Sequence, residues 1–346
     1  MKVEEAETWG DSFQQNPRQL SWWAFKRDVY RRHDARTIVI GTSRVLQMDA
    51  HPREWSFGNL GLPGTGAPTL VPYFRDLHAI HPGPLTVYLG IELFWLNANW
   101  APHYFYVPTG RSVSLRKLLT RQRLGGTISQ LVDDPSVLFR RWHVIHVAGK
   151  CVVDVGNNAA TGKVQSWEPD GSVAYPWEVN PAIPKPPVND DFDRDLGNLA
   201  GPQYLGGYYT NWHALGHLKE LGDGLALTKR YGWRVVGFVP PYSPRYVERL
   251  TTAPQTAPRW RDFGRVVPTL FVRYGDRFVD TRRVRSIPCP DDAFIDDGWH
   301  PNRACAARVR RLLDEAARRP AGAYVLRPSS RAGSLSSLVR VRVTAH

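Results

Sequence analysis

The sequence predicts an α/β protein: a mainly parallel five-stranded sheet sandwiched between helices as a three-layer α/β/α fold, interrupted by an insertion or cap. Three observations carry this prediction. Short apolar, β-branched runs end at glycine or turn residues, segments of helical period lie between them, and the two kinds alternate along the chain.

The first run, Thr37 to Gly41 (TIVIG), reads as a buried parallel strand, with WSFGN at 55–59 as a weaker second one. LTVYLG at 85–90 and WRVVGFV at 233–239 are the clearest, and the segment around Phe278 and Val279 is the fifth. Residues 208–231 carry Leu215, Leu218, Leu221, Leu225 and Leu227 at roughly helical spacing before Tyr231-Gly232 and predict a helix, as does the stretch from Arg303 to Arg318. Such an alternation places ligands at the carboxyl ends of the strands. Residues 100–205 are rich in proline, aromatics and turn signals such as Pro169-Asp170-Gly171, so they read as an inserted cap within one domain spanning 1–346. Trp142, Trp167, Tyr175 and Trp177 in that region have two readings, lining a cleft or packing the cap against the body. The basic, serine-rich tail at 325–346 has three: a late strand, a disordered extension or a non-native sequence.

With 346 residues, 42% hydrophobic and 22% charged, the chain can bury a core without metal or disulfide staples. Cys151, Cys289 and Cys305 are widely spaced and allow at most one disulfide. The net charge of +13 is spread along the chain, and its densest run (Arg308, Arg310, Arg311, Arg318, Arg319) reads as the solvated face of a helix. No nucleic-acid motif accompanies it, so no specific nucleic-acid partner is expected. No apolar run reaches the length of a membrane span and the start is acidic, so the expectation is a soluble chain without a transmembrane segment.

The first predicted strand runs directly into Gly41-Thr42-Ser43-Arg44. A serine at such a strand-to-helix turn stands at the mouth of the sheet with backbone N–H groups beside it. The same serine alone would suit a helix cap. Near the other end, Asp297 and His300 lie two residues apart before Pro301. Serine needs a base, and a histidine base needs a carboxylate to fix its tautomer and stabilise the imidazolium. These three residues supply that set.

Together these motifs resemble the SGNH, or GDSL-like, hydrolase superfamily, whose flavodoxin-like sheet is the fold the resemblance implies. GTSR at 41–44 resembles the first family block in its GSSR variant, found among proteins that act on cell-surface polysaccharides. Asn59-Leu60-Gly61-Leu62-Pro63-Gly64 resembles the second, which implies an oxyanion-hole N–H from Gly64 beside that of Ser43. Val239-Pro240-Pro241-Tyr242-Ser243-Pro244 matches the proline-rich segment after the fourth strand, and DGWHP at 297–301 resembles the block that supplies acid and base. The third block departs from the pattern: where the family has GxND, this chain has Gly90-Ile91-Glu92-Leu93. An ionised Glu92 would destabilise an oxyanion, so Asn97 or Asn99 are candidate substitutes, or the two backbone donors suffice.

Other candidates rank lower. His213 and His217 have a zinc-compatible helical spacing but lack the HExxH glutamate and a third ligand, so no metal and no cofactor is expected. His78 and His81 read as structural or surface residues. Arg44 has two readings, contact with an anionic substrate group or bracing of the active-site loop.

The resemblance implies an ester hydrolase or O-acyltransferase acting on acyl groups, acetyl above all, of a glycan or cell-surface polysaccharide. It also implies an extracytoplasmic location and a membrane-bound acyltransferase partner. The alternative is a carbohydrate-binding or assembly protein that keeps the fold with little or no turnover. A polyanion binder driven by net charge comes last.

Overall fold

The computed structural model describes residues 35–49, 56–98, 170–174, 215–254, 256–282, 289–294 and 298–319, with Trp23, Lys26, Arg27, Tyr30, Arg31, Glu178 and Pro184. It also describes the backbone of the strands at 144–147, 150–154, 166–167, 324–328 and 335–340. The central sheet is built from β1 (Thr37–Ile40), β2 (Phe57–Asn59), β3 (Thr86–Gly90), β8 (Arg234–Phe238) and β9 (Arg277–Val279), all parallel, in the order β2-β1-β3-β8-β9. Beyond β9 the sheet continues with β10 (Tyr324–Pro328), parallel to β9, and β11 (Leu335–Arg340), antiparallel to β10. The five expected strands are present, and with β10 and β11 the sheet has seven strands among the described residues.

Successive residues of each strand face opposite sides, and both sides are apolar, as a sheet with no solvated face requires. Ile38, Ile40, Val87, Leu89, Val235 and Phe278 join one cluster with α1 (Leu70–Ile80), α2 (Leu218–Arg230) and α4 (Ala257–Arg273). Val39, Tyr88, Val236, Phe238 and Val279 join a second cluster with α5 (Arg303–Arg318). On α1 the buried side chains are Leu70, Tyr73, Phe74 and Leu77, a one-sided stripe at helical spacing. Burying each is worth roughly 1.5–3 kcal/mol. α3 (Pro244–Thr252) begins with proline after Ser243, whose hydroxyl accepts from the Tyr246 N–H, and Asn302 caps α5 by accepting from the Cys305 N–H at 2.9 Å.

The predicted helix over 208–231 is shorter than expected. Its described part begins at Leu218, because Leu215 pairs as an isolated bridge with Asn97 and His217 adopts a left-handed φ of 55°. His217 therefore precedes the helix, so the helical spacing that would place it beside His213 does not arise; His213 itself lies outside the described residues.

Within the region read as an insertion, β4 (Val144–Val147), β5 (Lys150–Asp154), β6 (Ser166–Trp167) and β7 (Val173–Ala174) form a separate antiparallel sheet. Its last strand reaches the main body: the Val173 N–H donates to Leu46 O at 2.8 Å and the Asn59 N–H to Asp170 O at 2.6 Å. Gly171 between them has φ 85°, and a Cβ there would collide with the Asn59 carbonyl oxygen. Tyr175 and Trp177 lie outside the described residues, as does Trp142.

Candidate active site

Strand order dictates where a site can form. The chain leaves β1 for β2 on one side and returns to β3 on the other, so the crevice at the carboxyl end of β1 is a topological switch point. Ser43 stands there, at the start of a single turn, Ser43–Val45, capped by Thr42. The turn sits tight against the sheet because Gly41 has no side chain; a Cβ there would lie 2.9 Å from a Val45 methyl. Below it, buried Asn59 at the end of β2 donates its amide to the carbonyls of Val45 (2.7 Å), Met48 (2.9 Å) and Leu46 (3.1 Å), while its Oδ1 accepts from the Gly61 N–H. Lys26, fully buried, donates to Asn59 O at 2.9 Å and to Gly171 O, joining this clamp to the inserted region.

His300 comes from a loop fixed at both ends. Phe294 bridges Pro301, the Asn302 N–H donates to Ala293 O at 2.7 Å, and the Cys289–Cys305 disulfide closes the segment. The Ser243 N–H also donates to Gly298 O at 3.0 Å, tying the loop to the segment after β8. Across 257 residues of sequence, Ser43 Oγ and His300 Nε2 lie 2.7 Å apart. With the imidazole neutral and protonated at Nδ1, the serine hydroxyl donates to Nε2, the arrangement from which a base withdraws the proton. Both residues are partly exposed, so the pair is open to a ligand. Neither the Ser43 N–H nor the Gly64 N–H has a hydrogen-bond partner among the described residues, and Gly64 adopts φ 67° in the loop after β2. Asp297 and Asn99 lie outside the described residues.

Arg44 and Glu92 form the electrostatic centre beneath this pair. Glu92, fully buried, accepts from Thr42 Oγ1 at 2.9 Å, from the Tyr242 hydroxyl at 3.0 Å and from the Arg44 guanidinium in an ion pair. The same guanidinium donates to Trp299 O at 2.7 Å, to Pro240 O at 2.6 Å and to Pro241 O, and lies 3.5 Å above the Tyr242 ring. It thus connects the serine turn, the end of β3, the segment after β8 and the histidine loop. The Arg44 side chain is only 2% exposed and its hydrogen bonds are made within the protein, the geometry that the bracing reading requires. Glu92 is its counter-ion. Asn97 is buried at the end of the turn Leu93–Leu96, where its backbone pairs with Leu215.

Beside the histidine, the partly buried Trp299 stacks on Tyr246, which stacks on Tyr242. His78 stacks on Tyr231 with centroids 3.7 Å apart and His81 bonds Tyr30 O at 2.6 Å, both near the C-terminus of α1.

Sequence reasoning gave Asn59 and Tyr242 no role. The signal for Asn59 was a carboxamide at the end of an otherwise apolar strand, a group that is buried only where several backbone partners meet it. A scan against protein-family models and a search of curated proteins both find no match to this chain.

Proposed function

We propose that the chain is a serine-dependent ester hydrolase or O-acyltransferase of the SGNH type, with a flavodoxin-like three-layer α/β/α fold. The observation that carries this reading is the 2.7 Å contact between Ser43 Oγ and His300 Nε2 at the switch point of a parallel sheet. In this reading His300 accepts the serine proton as Oγ attacks an ester carbonyl carbon, and the resulting oxyanion takes hydrogen bonds from the N–H groups of Ser43 and Gly64. The leaving alcohol receives the proton from His300, leaving an acyl-enzyme that water or a sugar hydroxyl then resolves. Asp297 is assigned the orientation of His300. Arg44 and Glu92 are positioning residues that hold the serine turn against the histidine loop.

The substrate class follows from the sequence resemblance: short acyl esters, acetyl above all, on a glycan or cell-surface polysaccharide. Partly buried Trp299 beside His300 supplies an apolar ring that suits a sugar face. The Cys289–Cys305 pairing supports an oxidising, extracytoplasmic setting. A membrane-bound acyltransferase partner belongs to the transferase form of the proposal; among the described residues, no helix is long and apolar enough to cross a membrane.

One observation favours the second reading, a glycan-binding or assembly protein: the position where the family has an oxyanion donor is held by Glu92, engaged with Arg44. Release of p-nitrophenol from p-nitrophenyl acetate separates the two. Turnover that Ser43→Ala abolishes is the expected result. Equal release by wild type and Ser43→Ala, with glycan binding retained, would select the binding protein.

A further inference from the structure

At the opposite end of the sheet, the amino ends of β1, β3, β8 and β9 border an open cleft of about 670 Å³, within the range of roughly 300–1,000 Å³ common for small-molecule sites. Arg36, Lys229 and Arg234 stand on its exposed rim. Buried Arg277 and Asp276 lie deeper, and Tyr274 lines one wall. Four cations against one carboxyl select an anion. The carboxyl adds a second requirement. Asp276 is 7% exposed; its Oδ1 accepts from the Val235 N–H at 3.3 Å, while its buried Oδ2 has no partner among the described residues. Asp276 and its chain neighbour Arg277 do not pair, since Arg277 turns its guanidinium to Arg319 O at the end of α5 and leaves its Nε without a partner among the described residues.

A buried carboxylate oxygen without a donor costs free energy that a ligand hydroxyl would recover. A bare oxyanion satisfies the rim and is repelled by Asp276; a neutral polyol satisfies Asp276 and leaves the rim unused. We propose that this cleft binds a hydroxylated anion of sugar-acid size, a carboxylate or phosphate on a polyol, with the charged group at Arg36, Lys229 and Arg234 and a hydroxyl donating to Asp276. The site is independent of Ser43 and of the reaction assigned there.

Isothermal titration calorimetry of the full chain above the Asp276 pKa of about 7, where its carboxyl is ionised, with glucuronate, glucose 6-phosphate, glucose and inorganic phosphate tests it. At least one of the first two is expected to bind roughly tenfold or more tightly than either glucose or inorganic phosphate, and the tighter of the two identifies the anionic group. Lys229→Glu, at an exposed position, is expected to weaken that binding by roughly tenfold, the effect of one reversed charge near the surface. Asp276→Asn is expected to narrow the margin over inorganic phosphate, and Ser43→Ala to leave binding unchanged. The proposal is overturned by absence of binding for all four probes, by inorganic phosphate or glucose binding as tightly as both sugar anions, or by insensitivity to Lys229→Glu. Loss of binding in Ser43→Ala would move the ligand to the other end of the sheet and overturn it equally.

Discussion

Replacing Arg44 by methionine removes a buried charge while nearly preserving side-chain volume, and the structure sets the size of the effect. Glu92 is fully buried and, among the described residues, would keep only the Thr42 and Tyr242 hydroxyls as partners. Breaking a buried pair on one side costs about 3–5 kcal/mol, because the remaining charge is left uncompensated. The carbonyls of Trp299, Pro240 and Pro241 lose their donor too, and the contact with the Tyr242 ring, worth about 1–2 kcal/mol when desolvated, goes with it. Arg44→Met is therefore expected to lower unfolding stability by at least about 3 kcal/mol, a large part of the roughly 5–15 kcal/mol typical of a folded domain. Arg44→Met/Glu92→Gln removes both charges and keeps the hydroxyl bonds, so it should recover about 2 kcal/mol relative to the sum of the single changes. Urea unfolding followed by tryptophan fluorescence, with an unchanged slope, measures both. A single-variant loss below about 1 kcal/mol, or strictly additive effects, would refute the argument that this pair is buried and coupled. The stability result is independent of catalysis. If the pair also positions the Ser43–His300 contact, turnover by a still-folded Arg44→Met should fall by about 10²-fold, the cost of an ångström-scale misplacement.

Three further outcomes follow from other parts of the molecule. Asn59→Ala leaves buried carbonyls of the serine turn without their amide donor and is expected to cost at least about 2 kcal/mol in urea unfolding, whereas a cost near zero would mean the turn holds itself. Replacing Cys289 and Cys305 together by alanine opens a link over 16 residues and should lower stability by about 3 kcal/mol, with intact-mass measurement of the wild type showing one disulfide. The Asp276 carboxyl is pushed up from 3.8 to about 7 by burial, against the opposing effects of the Val235 N–H, Arg277 and Lys229. The native state thus holds a proton that the unfolded state has released, so stability falls as pH rises from about 4 to about 7, by up to about 4 kcal/mol, and is level above that. Asp276→Asn should flatten this dependence in thermal melts at pH 5 and pH 8; an identical slope in the variant would assign it elsewhere.

The parallel strands were legible because a strand buried on both faces must be apolar throughout, and TIVIG or LTVYLG leaves little else to consider. The meeting of Ser43 and His300 was legible only through motif order, since no local property of two residues 257 apart encodes a contact. Arg44 and Glu92 illustrate what the sequence withheld. Each was considered singly, Arg44 as a brace or substrate contact and Glu92 as an unsuitable oxyanion neighbour, yet the ion pair between them explains both positions. The helix over 208–231 was overextended because leucine spacing carries no sign of the Asn97–Leu215 bridge or of the left-handed turn at His217, both set by tertiary contacts. The tail strands escaped a firm reading for a similar reason: β10 is an extension of a sheet edge that exists only once β9 is in place.

Activation of Ser43 is the central claim, and labelling by a serine-reactive fluorophosphonate tests it most directly. Digestion and mass spectrometry of the treated protein should place one phosphonyl adduct on Ser43, and His300→Ala, folded by circular dichroism, should take up little or none. A correctly folded wild-type chain that stays unlabelled at Ser43, or labels equally well without His300, would contradict the account.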